Sequence, residues 1–284
     1  MLLTVFDPWK SQLCTCPRKL TFNPYTGCDH ECLYCYASSY IPRFHECRPK
    51  KNLLSRLKQE SSKLNGELVS ISNSSDPYPL LEGKTGLTRK CLEILAKSHC
   101  RLQIVTKSDL VIRDIDILET VPCVVSITVL TADDELSRKL EPGAPVSSKR
   151  LKTIKILAKA GIPTTARIDP IIPFLNDDLD VLMRTVAKLG ALHVTCSTYK
   201  VKPDNWKRFS AVFPDVAEKL KPLYFNEGER IGRSHYLPKN LRFALMKKAG
   251  ELAKEYNLKF GCCREGLSLN SAVCDGSWAI QKLK

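Results

Sequence analysis

Six short runs of apolar, β-forming residues, separated by stretches of helical periodicity, constrain this chain more than any other feature of its sequence. The runs lie at 20–25, 68–72, 102–106, 124–129, 163–168 and 192–196. Between them, SSKRLKTIKILAKAG (147–161) reads as a helix. Ser147 or Ser148 is placed to cap it, Leu151, Ile154, Leu157 and Ala158 share one face, and Gly161 can stop it. TRKCLEILAKSH predicts a second helix with Thr88 at its start, and residues 115–121 predict a short third. Strands alternating with helices imply an α/β fold of parallel strands joined by right-handed crossovers. Periodicity alone leaves open whether the sheet curls into an incomplete barrel or stays open and doubly wound. In either case ligand sites are expected at the carboxyl ends of the strands. After about Lys202 the pattern changes, with Pro203, Pro214, Pro222 and Pro238 punctuating a helical tail. The expected organisation is therefore an N-terminal segment (1–19), an α/β core (20–202) and a C-terminal cap (203–284).

Composition bounds the class. Of 284 residues, 43% are hydrophobic and 26% charged, a globular balance that excludes disorder as the main state. No apolar run approaches the roughly 18 residues of a membrane span. Asp7 and Pro8 stand where a signal peptide would need an unbroken apolar stretch. The expectation is a cytoplasmic protein with no membrane partner. Lys and Arg number 44 against 30 Asp and Glu, a surplus of +14. That favours an anionic partner, DNA or RNA or a phosphorylated or carboxylate ligand, although a basic solvated surface is the plainer account. The thirteen cysteines are odd in number and clustered, which points away from a disulfide scaffold and toward metal or cluster ligation.

Cys28, Cys32 and Cys35 lie in TGCDHECLYCYA, a C-x3-C-x2-C spacing directly after the first run. Three thiolates so close suit one face of an iron–sulfur cluster, and a 4Fe–4S cubane held by only three keeps one iron open. A structural zinc completed by His30 is the alternative, with poor spacing for it. Three buried free thiols is another, and Asp29, His30 and Glu31 make the loop too polar for that.

The C-x3-C-x2-C motif with Tyr34 beside its third cysteine resembles the radical S-adenosylmethionine (SAM) superfamily. NPYTGCDHECLYCYA, ISNSSDPYPLLEG, IVTKS, SITVL, EPGAPVSSKRLKTIKILAKAGI and RIDPIIP follow in the order shown by its spore photoproduct lyase-like branch, over about residues 17–200. The resemblance implies a partial (β/α)6, TIM-like barrel with a helical C-terminal extension. It implies a 4Fe–4S cluster on Cys28, Cys32 and Cys35, with SAM chelating the open iron. A low-potential donor such as ferredoxin or flavodoxin would reduce the cluster, and reductive cleavage would give a 5′-deoxyadenosyl radical that takes hydrogen from an anionic substrate. Carried over by position, Ser75 and Asp76 would hold the SAM amino group, Lys107 its carboxylate and Ser126 ribose or carboxylate oxygens. Tyr34 and Tyr36 would pack on adenine or order the cluster loop. Read singly, Ser75-Asp76-Pro77 is also an ordinary turn and Lys107 an ordinary solvated lysine. One departure from the lyase is plain: no cysteine occurs between Cys47 and Cys91, near the SSD stretch where the lyase needs a hydrogen donor, so the substrate is open among DNA, RNA and peptide.

Cys14, Cys16, Cys262, Cys263 and Cys274 remain near the two termini; four of them, Cys14, Cys16, Cys263 and Cys274, could ligate a second iron–sulfur cluster or a zinc, the alternatives being buried free thiols or a Cys263–Cys274 pair. The awkward bite of C-x-C for one tetrahedral zinc leans this toward a cluster. Cys47, Cys91, Cys100, Cys123 and Cys196 sit in or beside apolar runs and read as core. YKVKPDNWKRF (199–209) interleaves cations with Tyr199, Trp206 and Phe209, a mixture suited to stacking on exposed bases, while the aromatics equally suit anchoring the tail to the core. The rival to an enzyme is a non-catalytic iron–sulfur or zinc module that binds nucleic acid; a thiol redox sensor is a third reading.

Overall fold

The computed structural model describes residues 1–6, 13–71 and 74–280. Asp7, Pro8, Ser72 at the end of the second run, and 281–284 lie outside the described residues. The strands are β1 (Thr4–Val5), β2 (Leu20–Phe22), the small pair β3 (Tyr25–Thr26) and β4 (Arg48–Pro49), β5 (Asn65–Ile71), β6 (His99–Thr106), β7 (Cys123–Thr128), β8 (Thr164–Ile171), β9 (His193–Thr198), the hairpin β10 (Glu229–Ile231) and β11 (Ser234–Tyr236), and β12 (Lys259–Cys262). All six apolar runs overlap strands of one sheet, ordered β1-β2-β5-β6-β7-β8-β9-β12, although the first run is cut short, its Tyr25 belonging to the separate β3–β4 pair. From β2 onward every pairing in it is parallel, and β1 runs antiparallel along the edge. A doubly wound sheet must reverse its strand order at a switch point. This order never reverses, so the sheet winds one way as a partial barrel.

Alternation along each strand divides the barrel into two environments. Leu102, Ile104, Val125, Ile127, Ala166, Ile168, Val194 and Cys196 face outward and join Leu57, Leu92, Leu95, Ile154, Leu157, Met183, Val186 and Met246 in the main core. Those helical residues come from Leu53–Ser61, Leu87–Leu95, Ser147–Lys159, Asp180–Lys188 and Lys239–Glu255, which cover the outer face. Their opposites, among them Gln103, Ser126, Thr165, Arg167 and Thr195, face the lumen and are polar. The amino-terminal end of the lumen is plugged by residues 274–276. Lys19 Nζ pairs with Asp275 Oδ2 at 2.6 Å, Gln103 Nε2 donates to the Asp275 carbonyl at 2.8 Å and Thr195 Oγ1 to the Cys274 carbonyl at 2.9 Å. A Cβ on Gly261 would sit 2.3 Å from that Cys274 oxygen, so only glycine admits the plug there.

The structure corrects three expectations. The tail is more than a cap, because β12 pairs in parallel with β9 and extends the barrel itself. Helix Ser147–Lys159 starts after Val146 without a side-chain cap, since Ser148 is taken by Asp134: its N–H donates to Oδ1 at 2.8 Å and its hydroxyl to Oδ2 at 2.6 Å. Thr88 lies inside helix Leu87–Leu95, where its hydroxyl donates to the Pro77 carbonyl. Cys91, Cys100, Cys123 and Cys196 are buried as expected, while Cys47 is half-buried. Helices Pro203–Val212 and Pro214–Phe225 form a second core in which Phe209, Leu220 and Tyr224 meet Tyr199, Leu140, Cys32 and Tyr34. Trp206 packs there against Phe209, Tyr224 and Phe225, so the aromatics of 199–209 anchor the tail rather than stand free for bases.

Candidate metal centre and cofactor site

The loop carrying Cys28, Cys32 and Cys35 follows β3 at the carboxyl end of the barrel and is held from three sides. At its start Gly27 has φ +81°, and a Cβ there would lie 2.5 Å from the Phe44 carbonyl, which instead accepts from Cys28 N–H at 2.7 Å. Beneath it, residues 140–145 press close. Leu33 N–H donates to the Leu140 carbonyl at 2.9 Å, and Gly143 N–H to the His30 carbonyl at 3.1 Å. On the third side, Arg208 Nη1 donates to the Cys32 carbonyl at 2.6 Å and Nη2 to the Cys35 carbonyl at 3.2 Å, while Asn205 Nδ2 reaches the Tyr34 carbonyl at 3.1 Å. These contacts fix the backbone and keep Cys32 close to both Cys28 and Cys35.

Cys28 and Cys32 are buried and Cys35 half-buried. Burial raises all three thiols, Cys32 to about 12, and mutual repulsion adds to this between Cys28 and Cys32 and between Cys32 and Cys35. Such thiols stay protonated unless a cation supplies the charge that makes ligation favourable. Among the described residues no three His, Cys, Asp or Glu side chains surround a single ion site. A cubane, in contrast, gives each thiolate its own iron, and three neighbouring thiols on one clamped loop fit that donor set.

Around the cysteine loop the expected residues divide. Ser75 Oγ and Ser126 Oγ are buried and have no hydrogen-bond partner among the described residues. Ser126 pairs in register with Thr165 of β8, whose methyl would touch a Cβ on the plug residue Gly276, so Ser126 points into the lumen. Orphaned buried hydroxyls of this kind cost about 1–3 kcal/mol each unless a ligand answers them, and they fit the proposed cofactor position. Asp76 is instead occupied: Oδ1 accepts from Thr106 Oγ1 at 2.6 Å and Tyr78 N–H at 2.9 Å, and Oδ2 from Lys107 N–H at 2.8 Å. It ties the ends of β5 and β6 together. Lys107 lies 3.9 Å from Glu141 Oε1 and 5.7 Å from the Tyr34 ring centroid. Burial opposes its charge, but Cys32, Glu141 and Asp76 outweigh that and hold the ammonium above its usual pKa. Tyr34 donates its hydroxyl to Glu141, which also pairs with the buried Arg150 at 2.5 Å. That bond commits the Tyr34 hydroxyl to Glu141 and ties the cysteine loop to residues 140–145. Tyr36 stacks on Tyr40, centroids 6.3 Å apart.

Glu141, Arg150, Asn205 and Arg208 support the site, and sequence reasoning missed their roles. The signal closest to them was EPGAP, where a glycine between two prolines marks a close backbone approach. The terminal cysteines come together only in part. Cys14 contacts Cys16, and Cys16 lies 3.6 Å from Cys274, sulfur to sulfur. Cys263 turns its thiol toward Arg167, so the expected foursome is a trio with a neighbour.

The family model for the radical SAM superfamily matches residues 22–186. An uncharacterized protein of Mycobacterium tuberculosis, Rv2578c, is 28% identical over 265 residues, covering 85% of this chain and 76% of its own. An uncharacterized protein of Methanocaldococcus jannaschii, MJ0683, is 34% identical over 166 residues, 56% of this chain and 62% of its own. Among solved structures, spore photoproduct lyase complexed with a dinucleoside spore photoproduct superposes with a TM-score of 0.62 at 16% identity, over 88% of this chain and 74% of that one. A variant of that lyase with bound AdoMet and the same dinucleoside gives 0.61 at 17% identity, over 89% and 77%. The fold is thus shared with spore photoproduct lyase, no helix of the described residues is long and apolar enough to cross a membrane, and with more than half its length matched by the family model the chain belongs to the radical SAM superfamily.

Proposed function

We propose that the protein is an enzyme that binds a 4Fe–4S cluster through Cys28, Cys32 and Cys35, holds SAM beside it and abstracts hydrogen from an anionic substrate, nucleic acid being the favoured class. The observation that carries this reading is the clamped trio of neighbouring thiols at the carboxyl end of the barrel, Cys28 and Cys32 buried and Cys35 half-buried, together with the orphaned hydroxyls of Ser75, after β5, and Ser126, in the lumen. When bound, the cluster and SAM supply the chemistry, reductive cleavage of a sulfonium to a carbon radical that takes a hydrogen atom. The chain's own contribution is placement and exclusion of water. Arg208 and Asn205 fix the backbone carbonyls of Cys32, Tyr34 and Cys35. Lys107 brings a half-buried positive charge toward Cys32, which offsets part of the negative charge of a thiolate-ligated centre. Ser75 and Ser126 offer hydroxyls to the polar end of SAM.

The anionic substrate is supported by charge at the mouth. Lys202, Arg233 and Arg264 lie near one another, and after burial their mutual repulsion lowers Lys202; Tyr40 sits under Lys202 Nζ at 5.8 Å. Cations over exposed aromatic edges suit phosphates flanked by bases. The related lyase is described with a dinucleoside photoproduct, which favours nucleic acid over peptide. The test is anaerobic reconstitution with iron and sulfide, then dithionite and SAM, with 5′-deoxyadenosine as the readout. Product from the wild type and none from Cys32→Ala is expected. Iron uptake by the wild type without any 5′-deoxyadenosine would sink the enzyme reading and leave a metal-bearing binding module.

A further inference from the structure

The barrel is incomplete, and its seam lies where the N-terminal arm before β2 meets the segment that follows β12. Thiols collect along this seam. Cys14 and Cys16 come from the arm, Cys274 from the lumen plug, and Cys263 directly follows β12. The two segments abut elsewhere as well: a Cβ on Gly266 would lie 2.7 Å from Leu13 Cδ2, and Asn270 Nδ2 is 3.5 Å from Thr15 Oγ1. We propose that Cys14, Cys16 and Cys274, with Cys263 drawn in as fourth ligand, hold one thiophilic metal ion of the zinc type that staples the arm to the C-terminal segment and closes the barrel seam.

The Cys16–Cys274 spacing fits two thiolates on one metal ion and not a second cubane, and it outweighs the awkward C-x-C bite that Cys14 and Cys16 present in sequence. Ligands at the usual zinc–sulfur distance of about 2.3 Å stand about 3.8 Å apart around a tetrahedral ion. Cys16 and Cys274 are already 3.6 Å apart, and Cys14 touches Cys16. A cubane would have to push these sulfurs apart so that each could reach its own iron. Among the described residues no three ligands yet surround one point, so binding must turn Cys263 from Arg167 and gather Cys14, each thiol releasing its proton to solvent as it ligates. Cations stand ready for the negative charge of a four-thiolate site. Lys19 lies near Cys16 and Arg264 near both Cys14 and Cys263, and Arg264 Nε is a buried donor without a partner among the described residues. The alternative is a disulfide, which would pair Cys16 with one of its two neighbours, Cys14 or Cys274, and leave the other unpaired.

The experiment uses the full chain with Cys28→Ala, Cys32→Ala and Cys35→Ala, which removes the first cluster's ligands, expressed with added zinc. About one zinc per chain is expected by elemental analysis, falling at least about tenfold when Cys16→Ser and Cys274→Ser are added. Should that variant fail to fold, wild-type protein is titrated with a mercurial while a chromophoric chelator reads the metal released. Release of about one zinc as the seam thiols react supports the site. No zinc above background, about four irons per chain in the triple variant, or a Cys16–Cys274 disulfide in peptide maps would each overturn it. None of these readouts depends on SAM cleavage.

Discussion

Gly143→Ala separates the loop geometry from the chemistry. Gly143 sits where residues 140–145 cross under the cysteine loop, and a Cβ there would lie 2.0 Å from the Asp29 carbonyl oxygen and 2.9 Å from His30 Cα. Real Cβ atoms essentially never approach below 3.0 Å, so one of the two backbones must retreat by at least 1.0 Å, the difference between 3.0 and 2.0. Both are pinned: Gly143 N–H to the His30 carbonyl, Leu33 N–H to Leu140, and Cys32 and Cys35 to Arg208. Overpacking of this kind costs about 1–3 kcal/mol. Misplacement of a reacting geometry by 1 Å costs about 100-fold in rate. Gly83→Ala is the matched control, because nothing lies within 4 Å of its Cβ position and it occupies helix Glu82–Thr85, where alanine is favoured over glycine by about 1 kcal/mol. Thermal melts, iron content and 5′-deoxyadenosine formation are measured on both. The Gly143 variant is expected to lose stability, bind less iron and form product about 100-fold more slowly, with the control at or above wild type in stability. Wild-type iron content and rate in Gly143→Ala would refute the claim that this crossing positions the cysteines.

Three further outcomes follow from the same contacts. Arg208→Ala removes charge-assisted bonds to the Cys32 and Cys35 carbonyls and should cost about 2 kcal/mol with lower iron retention, and Arg208→Lys should rescue poorly because a point charge cannot span both carbonyls; full rescue by lysine, read by iron counting, would contradict this. Ser126→Ala should leave the cofactor-free protein as stable or up to about 2 kcal/mol more stable, since it deletes an unanswered buried hydroxyl, yet weaken SAM binding several-fold by calorimetry; equal affinity would remove Ser126 from the site. His193 is buried and accepts at Nδ1 from Trp278 Nε1–H at 3.2 Å, and burial lowers its pKa to about 4. It is neutral when folded and protonates near 6.5 when unfolded, so its contribution is complete above about pH 6.5 and lost as pH falls toward 4, by up to about 3 kcal/mol. Denaturant midpoints measured across that window should lose much of their slope in His193→Gln.

The strands were legible because parallel barrel strands are buried on the helix-facing side and crossed by helices of regular period, so β5 to β9 read as apolar runs. β12 was not. Its four residues, KFGC, include Gly261, whose missing side chain lets Cys274 enter the lumen, and that requirement breaks the strand signal. The cysteine loop was legible because its ligands are local in sequence. Its supports were not, because Tyr34 and Glu141 are 107 residues apart and Cys32 and Arg208 are 176 apart, and nothing in either local pattern announces the partner. Asp76 shows the converse: its place after β5 suggested a ligand contact, while folding spent both of its oxygens on joining β5 to β6. A polar residue at a strand's carboxyl end is therefore only a candidate until its own hydrogen bonds are counted. Counted that way, Ser75 and Ser126 are the hydroxyls left over for a ligand among the carried-over positions, which is why the cofactor reading rests on them and on the thiols and not on Asp76.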